Sequence, residues 1–418
     1  MTALVEGKFR LVAVCALAFA VSLPIAVINL AKLGVVCAFV WLVATDGVVR
    51  QKLVGKQPDF IPLIYLAMVT FLISVLWSSA SGAAIGKSLA QHGNLLVIPL
   101  VFFLQRNRRD AAIALQVFML GQMVLVLGTW GLYLNLPVPW AQAASEGIST
   151  RYAVFSSYLD QSIMGAVFAA LVWHLREVIP GPIRRFVVPL SIGLVLGAVF
   201  GLFIGRTGYV VALVLVTASV FWEMPARWRW AGFSAPVFIG LVVWLAAPQA
   251  LDRLWLVKTE IAAVAQKSAP VAAETSSGIR LQFWKNSLMA LQKSPWTGHG
   301  AGSWSSQYDA LQPGFGLPGY VPTVGNPHQE YLLWAVELGL PGLALLLAIG
   351  FATWRACRPM EPQARRAVQS VLIAIAVAGL FNCALFDALI GDFLCVSLAL
   401  ALGFGLLPPA SAGPVARS

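Results

Sequence analysis

Residues 111–134 read AAIALQVFMLGQMVLVLGTWGLYL, without a single Asp, Glu, Lys, Arg or His. As a helix this stretch is about 36 Å long at 1.5 Å per residue, and the hydrocarbon core of a bilayer is about 30 Å thick. Arg106, Arg108 and Arg109 stand just before it. A helix that is apolar on every face has no stable place in water, so this segment is read as a membrane span with a cationic anchor at one end.

The same pattern recurs on both sides. Spans are expected near 11–30, 32–49, 60–77, 85–104, 111–134, 158–175, 186–204, 207–222, 230–248, 329–354, 367–386 and 388–407, with the first pair joined at Ala31-Lys32. The fold class is all-α polytopic membrane protein with about 12 transmembrane helices. Composition agrees. Of 418 residues, 59% are hydrophobic and 11% charged, whereas soluble domains run at roughly 45–50% and about 25%. The net charge of +11 is assigned to topology and not to nucleic acid. None of the five cysteines has metal-site spacing, so neither a disulfide framework nor a zinc site is expected. Lys8 and Arg10 before an apolar run imitate a signal peptide, but apolar character resumes at once and a retained first span is expected.

Loop charges orient the chain. Alternate loops, starting with the N-terminus, hold Lys8 and Arg10; Arg50, Lys52 and Lys56; Arg106, Arg108 and Arg109; Arg176, Arg184 and Arg185; Arg227 and Arg229; Arg355, Arg358, Arg365 and Arg366; and Arg417. Short loops on the other face hold only Lys32, Lys87, Arg151 and Arg206. Cytoplasmic loops carry the excess of Lys and Arg, so both termini are expected in the cytoplasm. The chain divides into spans 1–9 over 1–248, a non-cytoplasmic loop over 249–327, spans 10–12 over 328–408 and a tail over 409–418.

A polar loop as long as 249–327 usually carries function. It offers helices at about Leu251–Gln266 and from Thr275-Ser276-Ser277 to about Lys293; in the second, Leu281, Trp284, Leu288 and Leu291 form an apolar stripe suited to a membrane interface. The Gly/Pro-rich run from Pro295 to Pro327 is expected to be loop.

Three residues stand out. Arg206, in Gly205-Arg206-Thr207-Gly208, is a cation on the face where short-loop cations are scarce. Its glycines suggest a tight turn and its natural partner is an anion, although an arginine snorkelling to headgroups would look the same. Arg280 opens the second loop helix, whose N-terminal amides also favour anions; an exposed arginine on an amphipathic helix is the plain alternative. His328, in Asn326-Pro327-His328-Gln329-Glu330-Tyr331, stands where the chain re-enters the membrane. Its imidazole could take a proton from a hydroxyl, or simply cap the helix. His299, in Gly298-His299-Gly300-Ala301-Gly302, Lys87, Arg151, Asn326 and Gln329 form a second tier for substrate phosphates or the carrier. His92 and His174 read as structural, and Asp387 and Asp392 as marking a short polar turn, with buried partners or ion ligands as the alternative. No Asp-x-Asp, Walker or dinucleotide pattern appears, which argues against a metal-dependent transferase and against nucleotide use.

The ordered set Gly205-Arg206-Thr207-Gly208, Arg280, Pro295 to Gly302, and His328 through Glu337-Leu338-Gly339-Leu340-Pro341-Gly342 resembles the O-antigen ligase/polymerase superfamily over about residues 190–345. The family's histidine motif carries an asparagine after the histidine; here Gln329 stands there and Asn326 falls two residues before. The resemblance implies a metal-independent, inverting, GT-C-like glycosyltransferase of the bacterial inner membrane, with its site at the periplasmic face and no cofactor. It implies undecaprenyl pyrophosphate-linked glycan as donor and lipid A–core as acceptor, Arg206 and Arg280 on the pyrophosphate, and His328 as base. An O-antigen polymerase or a protein O-oligosaccharyltransferase shares that chemistry, and a secondary transporter is the alternative of another class.

Overall fold

The computed structural model describes residues 2–141, 152–155, 157–227, 276–312, 316 and 325–409. Among these every regular element is helical. The helices are α1 (Thr2–Ala20), α2 (Ile25–Thr45), α3 (Gly47–Val54), α4 (Phe60–Trp77), α5 (Gly82–Leu104), α6 (Arg108–Tyr133), α7 (Tyr158–His174), α8 (Gly181–Leu202), α9 (Arg206–Glu223), α10 (Ser276–Lys293), α11 (Trp304–Asp309), α12 (Glu330–Ala356), α13 (Pro362–Gly379) and α14 (Ala388–Leu406). Eight of the described helices are long and apolar enough to cross a membrane: α2, α4, α5, α6, α8, α9, α12 and α14. Expected spans also coincide with α1, α7 and α13, which are helices of 19, 17 and 18 residues. The expected span at 230–248, the loop helix at Leu251–Gln266 and Arg151 lie outside the described residues.

Helix α14 is the axis of the bundle. It is buried from Leu389 to Phe404 and packs against α5, α6, α7 and α13. Such all-round burial suits a sequence that is apolar on every face. Helix α12 packs on α4 and carries α10 on its outer part, while α9 lies between α7 and α13.

Ion pairs gather at one end of the bundle. Asp46 meets Arg10 at 3.9 Å and Arg106 at 3.4 Å, Glu361 takes a bidentate contact from Arg108, and Glu223 meets Arg366 at 2.8 Å and Arg176 at 3.9 Å. These residues come from the N-terminal segment and from loops that charge counting placed together on one face.

Several expectations are corrected. The first two helices part at Val21–Pro24, not at Ala31-Lys32, because Ser22-Leu23-Pro24 breaks the run there. Lys32 therefore lies inside α2, where its ammonium sits 2.8 Å from the fully buried Asp392 and 3.2 Å from Asn94 Oδ1. Asp392 marks no turn; it is the partner of a cation inside the bundle. Lys87 rides on the first turns of α5. Helix α11 stands in the stretch expected to be loop, since Trp304 and Tyr308, four residues apart, stack on one another and both meet the ring of Phe283 of α10 edge-on. In α10, Phe283, Ser287 and Ala290 turn inward, and Leu281 and Leu288 of the apolar stripe stay exposed, so the stripe reading is not overturned.

Candidate functional site

The site is built on a broken helix. Pro341 has no amide hydrogen and Gly339 has φ 72° and ψ −171°, a conformation essentially reserved for glycine, so the hydrogen-bond ladder of α12 is interrupted between Val336 and Pro341. The carbonyls freed by this break are those of Val336 and Glu337. They accept instead from the amides of His299 and Gly300, both at 2.9 Å, and the Leu340 amide turns to Pro295 O at 2.7 Å.

The glycine run 298–302 is thus the cap of a severed helix. The Gly302 amide donates to Glu337 Oε1 at 3.0 Å and the Ala301 amide to Ser74 Oγ at 3.1 Å. With all four amides of residues 299–302 engaged, the run is not arranged as a phosphate cradle. Gly298, Gly300 and Gly302 have φ of 64°, 87° and 76°, and a Cβ on any of them would strike backbone of α12, α4 or α5. The His299 ring donates through Nε2 to Ala290 O at 2.8 Å and braces α10. Glu337 is the knot of this layer. Its buried carboxylate also accepts from Ser88 Oγ at 2.9 Å and lies 3.2 Å from His92 Nε2. His92 is stacked on Phe71.

At the head of α12 the backbone of His328 is forced to φ 49°, uncommon for a residue with a side chain. The Asn326 side-chain oxygen accepts its amide at 2.9 Å, and Gln329, not His328, caps α12 by accepting from the Leu332 amide. The imidazole is consequently not consumed by capping. It stacks on Phe283 of α10, with centroids 6.1 Å apart, and places Nδ1 3.3 Å from Asn382 Oδ1. That oxygen can only accept, which puts the proton on Nδ1 and the lone pair on Nε2. Trp284 of α10 donates to Pro327 O at 3.2 Å and fixes the approach.

Glu330 aligns the opposite wall. It is 2% exposed and accepts from the amides of Leu385 and Phe386 at 3.0 and 3.4 Å and from Trp334 Nε1 at 3.0 Å. This ties the start of α12 to the α13–α14 turn, which carries Asn382 and Asp387. Asp387 is the N-cap of α14, accepting from the Leu389 amide at 3.1 Å.

The charges around the imidazole come from several elements. Burial and the field of Arg280 press the His328 pKa below its ordinary value, against the opposing pull of Asn382 and Asp387. Burial raises the Asp387 carboxyl, opposed by the Leu389 and Ile390 amides, His328 and Lys87. Asp160, on the first turn of α7, lies within the field of Asp387. His328 therefore lies within the fields of Arg280 and Asp387, and Asp387 within that of Lys87. Arg206 opens α9 next to the N-terminal turn of α7, because Gly205 and Gly208 let α9 press against Tyr158, Leu159 and Ser162. The connection between α8 and α9 is only residues 203–205, a tight turn as expected, and the glycines also allow close helix packing.

Sequence reasoning missed Asn382, Phe283 and Glu330 and set Asp387 aside as a turn marker. The starts of α12 and α14 are joined through Glu330 and the Leu385 and Phe386 amides, and those of α7 and α9 pack on one another; helix N-termini favour anions. Among the described residues no group of three or more His, Cys, Asp or Glu is placed to hold a metal ion.

The fold defines an all-α polytopic membrane protein. The family model described as O-antigen ligase matches residues 192–347, from within α8 to within α12, and supports placing the chain in the O-antigen ligase superfamily. That family is one of glycosyltransferase-like ligases and polymerases that use lipid-linked glycan and lipid acceptors in general. The match takes in Arg206, Arg280, His299 and His328 and ends before Asn382 and Asp387. No curated protein matches the chain.

Proposed function

We propose that the chain is an O-antigen ligase that moves a glycan from undecaprenyl pyrophosphate onto lipid A–core at the periplasmic face of the bacterial inner membrane, with both termini cytoplasmic. The observation that carries this reading is the imidazole of His328, which is pressed toward its neutral form, oriented through Nδ1 by Asn382 and set beside Arg280. The orientation rests on the charge division among loops.

In this scheme an acceptor sugar hydroxyl gives its proton to His328 Nε2 as its oxygen attacks the anomeric carbon from the face opposite the pyrophosphate. The anomeric C–O bond breaks, its electron pair leaves with undecaprenyl pyrophosphate, and the configuration inverts. Arg206 and Arg280 meet charge that grows on the leaving oxygen, so they act more strongly in the transition state than on the bound donor. Lys87 stands close enough to contribute to the same field, and Asp387 stabilises the imidazolium that forms. Neither metal nor nucleotide has a part.

The test is purified protein in nanodiscs with lipid-linked donor and a core acceptor, in the presence of EDTA. Capped product is expected from the wild type, and loss of product in folded His328→Ala and Arg206→Ala. Normal product from both variants would overturn the assignment. Product only on a second lipid-linked glycan would make the chain a polymerase.

A further inference from the structure

Lys32 and Asp392 form an ion pair inside the bundle that the reaction proposed above does not use. The Lys32 ammonium lies 2.8 Å from the fully buried Asp392 and donates to Asn94 Oδ1 at 3.2 Å. An ammonium can only donate, so this contact fixes the Asn94 amide with Nδ2 turned away from it. Asn94 is 4% exposed, and its Nδ2 has no hydrogen-bond partner among the described residues, a costly state for a buried amide. Asn94 stands on Gly93–Leu96, a single 3-10 turn set into the middle of α5; such interruptions often accompany function. Lys32 and Asn94 both line a cavity of about 220 Å³ between α2 and α5, with Leu17 of α1 in its wall. The rest of the lining is mainly aliphatic, including Val35, Leu89, Leu96 and Leu100. Its rim faces outward from the bundle, where Val36 is 41% exposed and Ala90 is exposed.

We propose that this cavity binds an outer-leaflet diacyl phospholipid by one ester carbonyl, with Lys32 and Asn94 as the donors and the aliphatic wall against the start of the acyl chain. The site does not depend on the ligase reading, and four features select its occupant. The unspent polar capacity is all donor, one ammonium N–H and both hydrogens of Asn94 Nδ2, so the ligand must present an acceptor. Asp392 already balances the charge of Lys32, which favours a neutral carbonyl over a phosphate. The volume falls below the range of sites that enclose a whole small molecule, about 300–1,000 Å³, and suits one ester group but not a sugar. Lys32 comes seven residues after Ile25 and thirteen before Thr45, about 10 Å and about 20 Å of helix. Thr45 adjoins Asp46, at the end where the ion pairs gather. The ligand therefore belongs to the opposite leaflet, which the charge division makes the outer one. A pair that only pinned α2 to α14 would need neither the bare amide nor the open rim.

Gly93 offers a way to fill the cavity. It lines it, has helical φ of −57°, and a Cβ built there meets nothing within 4 Å, so Gly93→Leu occupies the space without pushing on backbone. Gly34 on α2 has equally open surroundings and is not among the lining residues, so Gly34→Leu is the control. The probes are dioleoyl phosphatidylethanolamine and its diether analogue, which keeps the headgroup and chains but has no carbonyl.

Delipidated full-length protein in detergent is titrated with each lipid, and the bound lipid is read by native mass spectrometry. Wild type should bind the ester lipid about tenfold tighter than the ether, the effect of a hydrogen bond from a charged donor. Gly93→Leu should raise the Kd of the ester lipid to that of the ether, Asn94→Leu should lose the preference for the ester, and Gly34→Leu should behave as wild type. Equal binding of the two lipids by wild type, a measurement that holds however the variants fold, overturns the site. So does an unchanged Kd in Gly93→Leu or an unchanged preference in Asn94→Leu. Tighter binding of lipid A than of phosphatidylethanolamine overturns the assignment to a phospholipid. No glycan transfer is measured, so a negative result here leaves the proposed reaction standing.

Discussion

Substitution at Asn382 separates a base that is merely present from one that is tuned. In the native site Asn382 accepts from His328 Nδ1 and favours the protonated ring, while burial and Arg280 oppose protonation. Asn382→Ala removes the upward influence, so the imidazole releases its proton at a lower pH and the acid limb of the pH–rate profile moves down. The same change frees the ring to adopt the other tautomer. The lost hydrogen bond is worth about 1 kcal/mol, or roughly a fivefold fall in the plateau rate. Asn382→Asp does the opposite to the titration: a carboxylate at hydrogen-bonding distance raises an imidazole pKa by about 1–3 units. The ring then stays protonated to higher pH, and the acid limb moves up by the same amount. The assay is initial rate of glycan transfer in nanodiscs from pH 5 to 8.5, with donor binding measured in parallel. An acid limb at the same pH in wild type, Asn382→Ala and Asn382→Asp would refute the reasoning, because a group other than His328 would then be the one that titrates.

Other perturbations test the scaffold and the charges. Glu337→Ala strips a buried acceptor from Ser88, His92 and the Gly302 amide at once and should cost about 3–5 kcal/mol, seen as a lowered melting temperature in detergent. Gly339→Ala puts a Cβ 2.7 Å from Pro295 O in a backbone conformation that disfavours it; a loss of at least about 1–3 kcal/mol is expected, and a melting temperature equal to wild type would contradict the broken-helix account. Arg206→Lys keeps the charge but not the planar fork, so transfer should fall by tenfold or more while the protein stays folded; full activity would show that charge alone suffices. Lys32→Met leaves Asp392 buried without its cation and should lower stability by about 3–5 kcal/mol, with Lys32→Met/Asp392→Leu recovering most of it in the same melting assay.

The spans were legible because each is a local property, some twenty apolar residues with charge at the margins. Arg206, Arg280 and His328 were singled out for a related reason: in a chain so poor in charge, a polar group on the sparsely charged face is conspicuous. What escaped depends on partners far apart in sequence. Asn382 becomes meaningful only when it meets His328, 54 residues away, and Phe283 looks like any helical aromatic until it stacks on that ring. Lys32 read as a loop cation because nothing local discloses Asp392, its partner at the other end of the chain. The glycine run 298–302 resembled an anion nest, and only the break in α12 shows where its amides go.

That break also decides what holds the head of α12 in place. Above Gly339, Val336 and Glu337 are tied to the glycine run by three amides and to α5 through Ser88 and His92. The position of the imidazole is therefore set by the glycine run and α5 as much as by the helix that continues below Gly339.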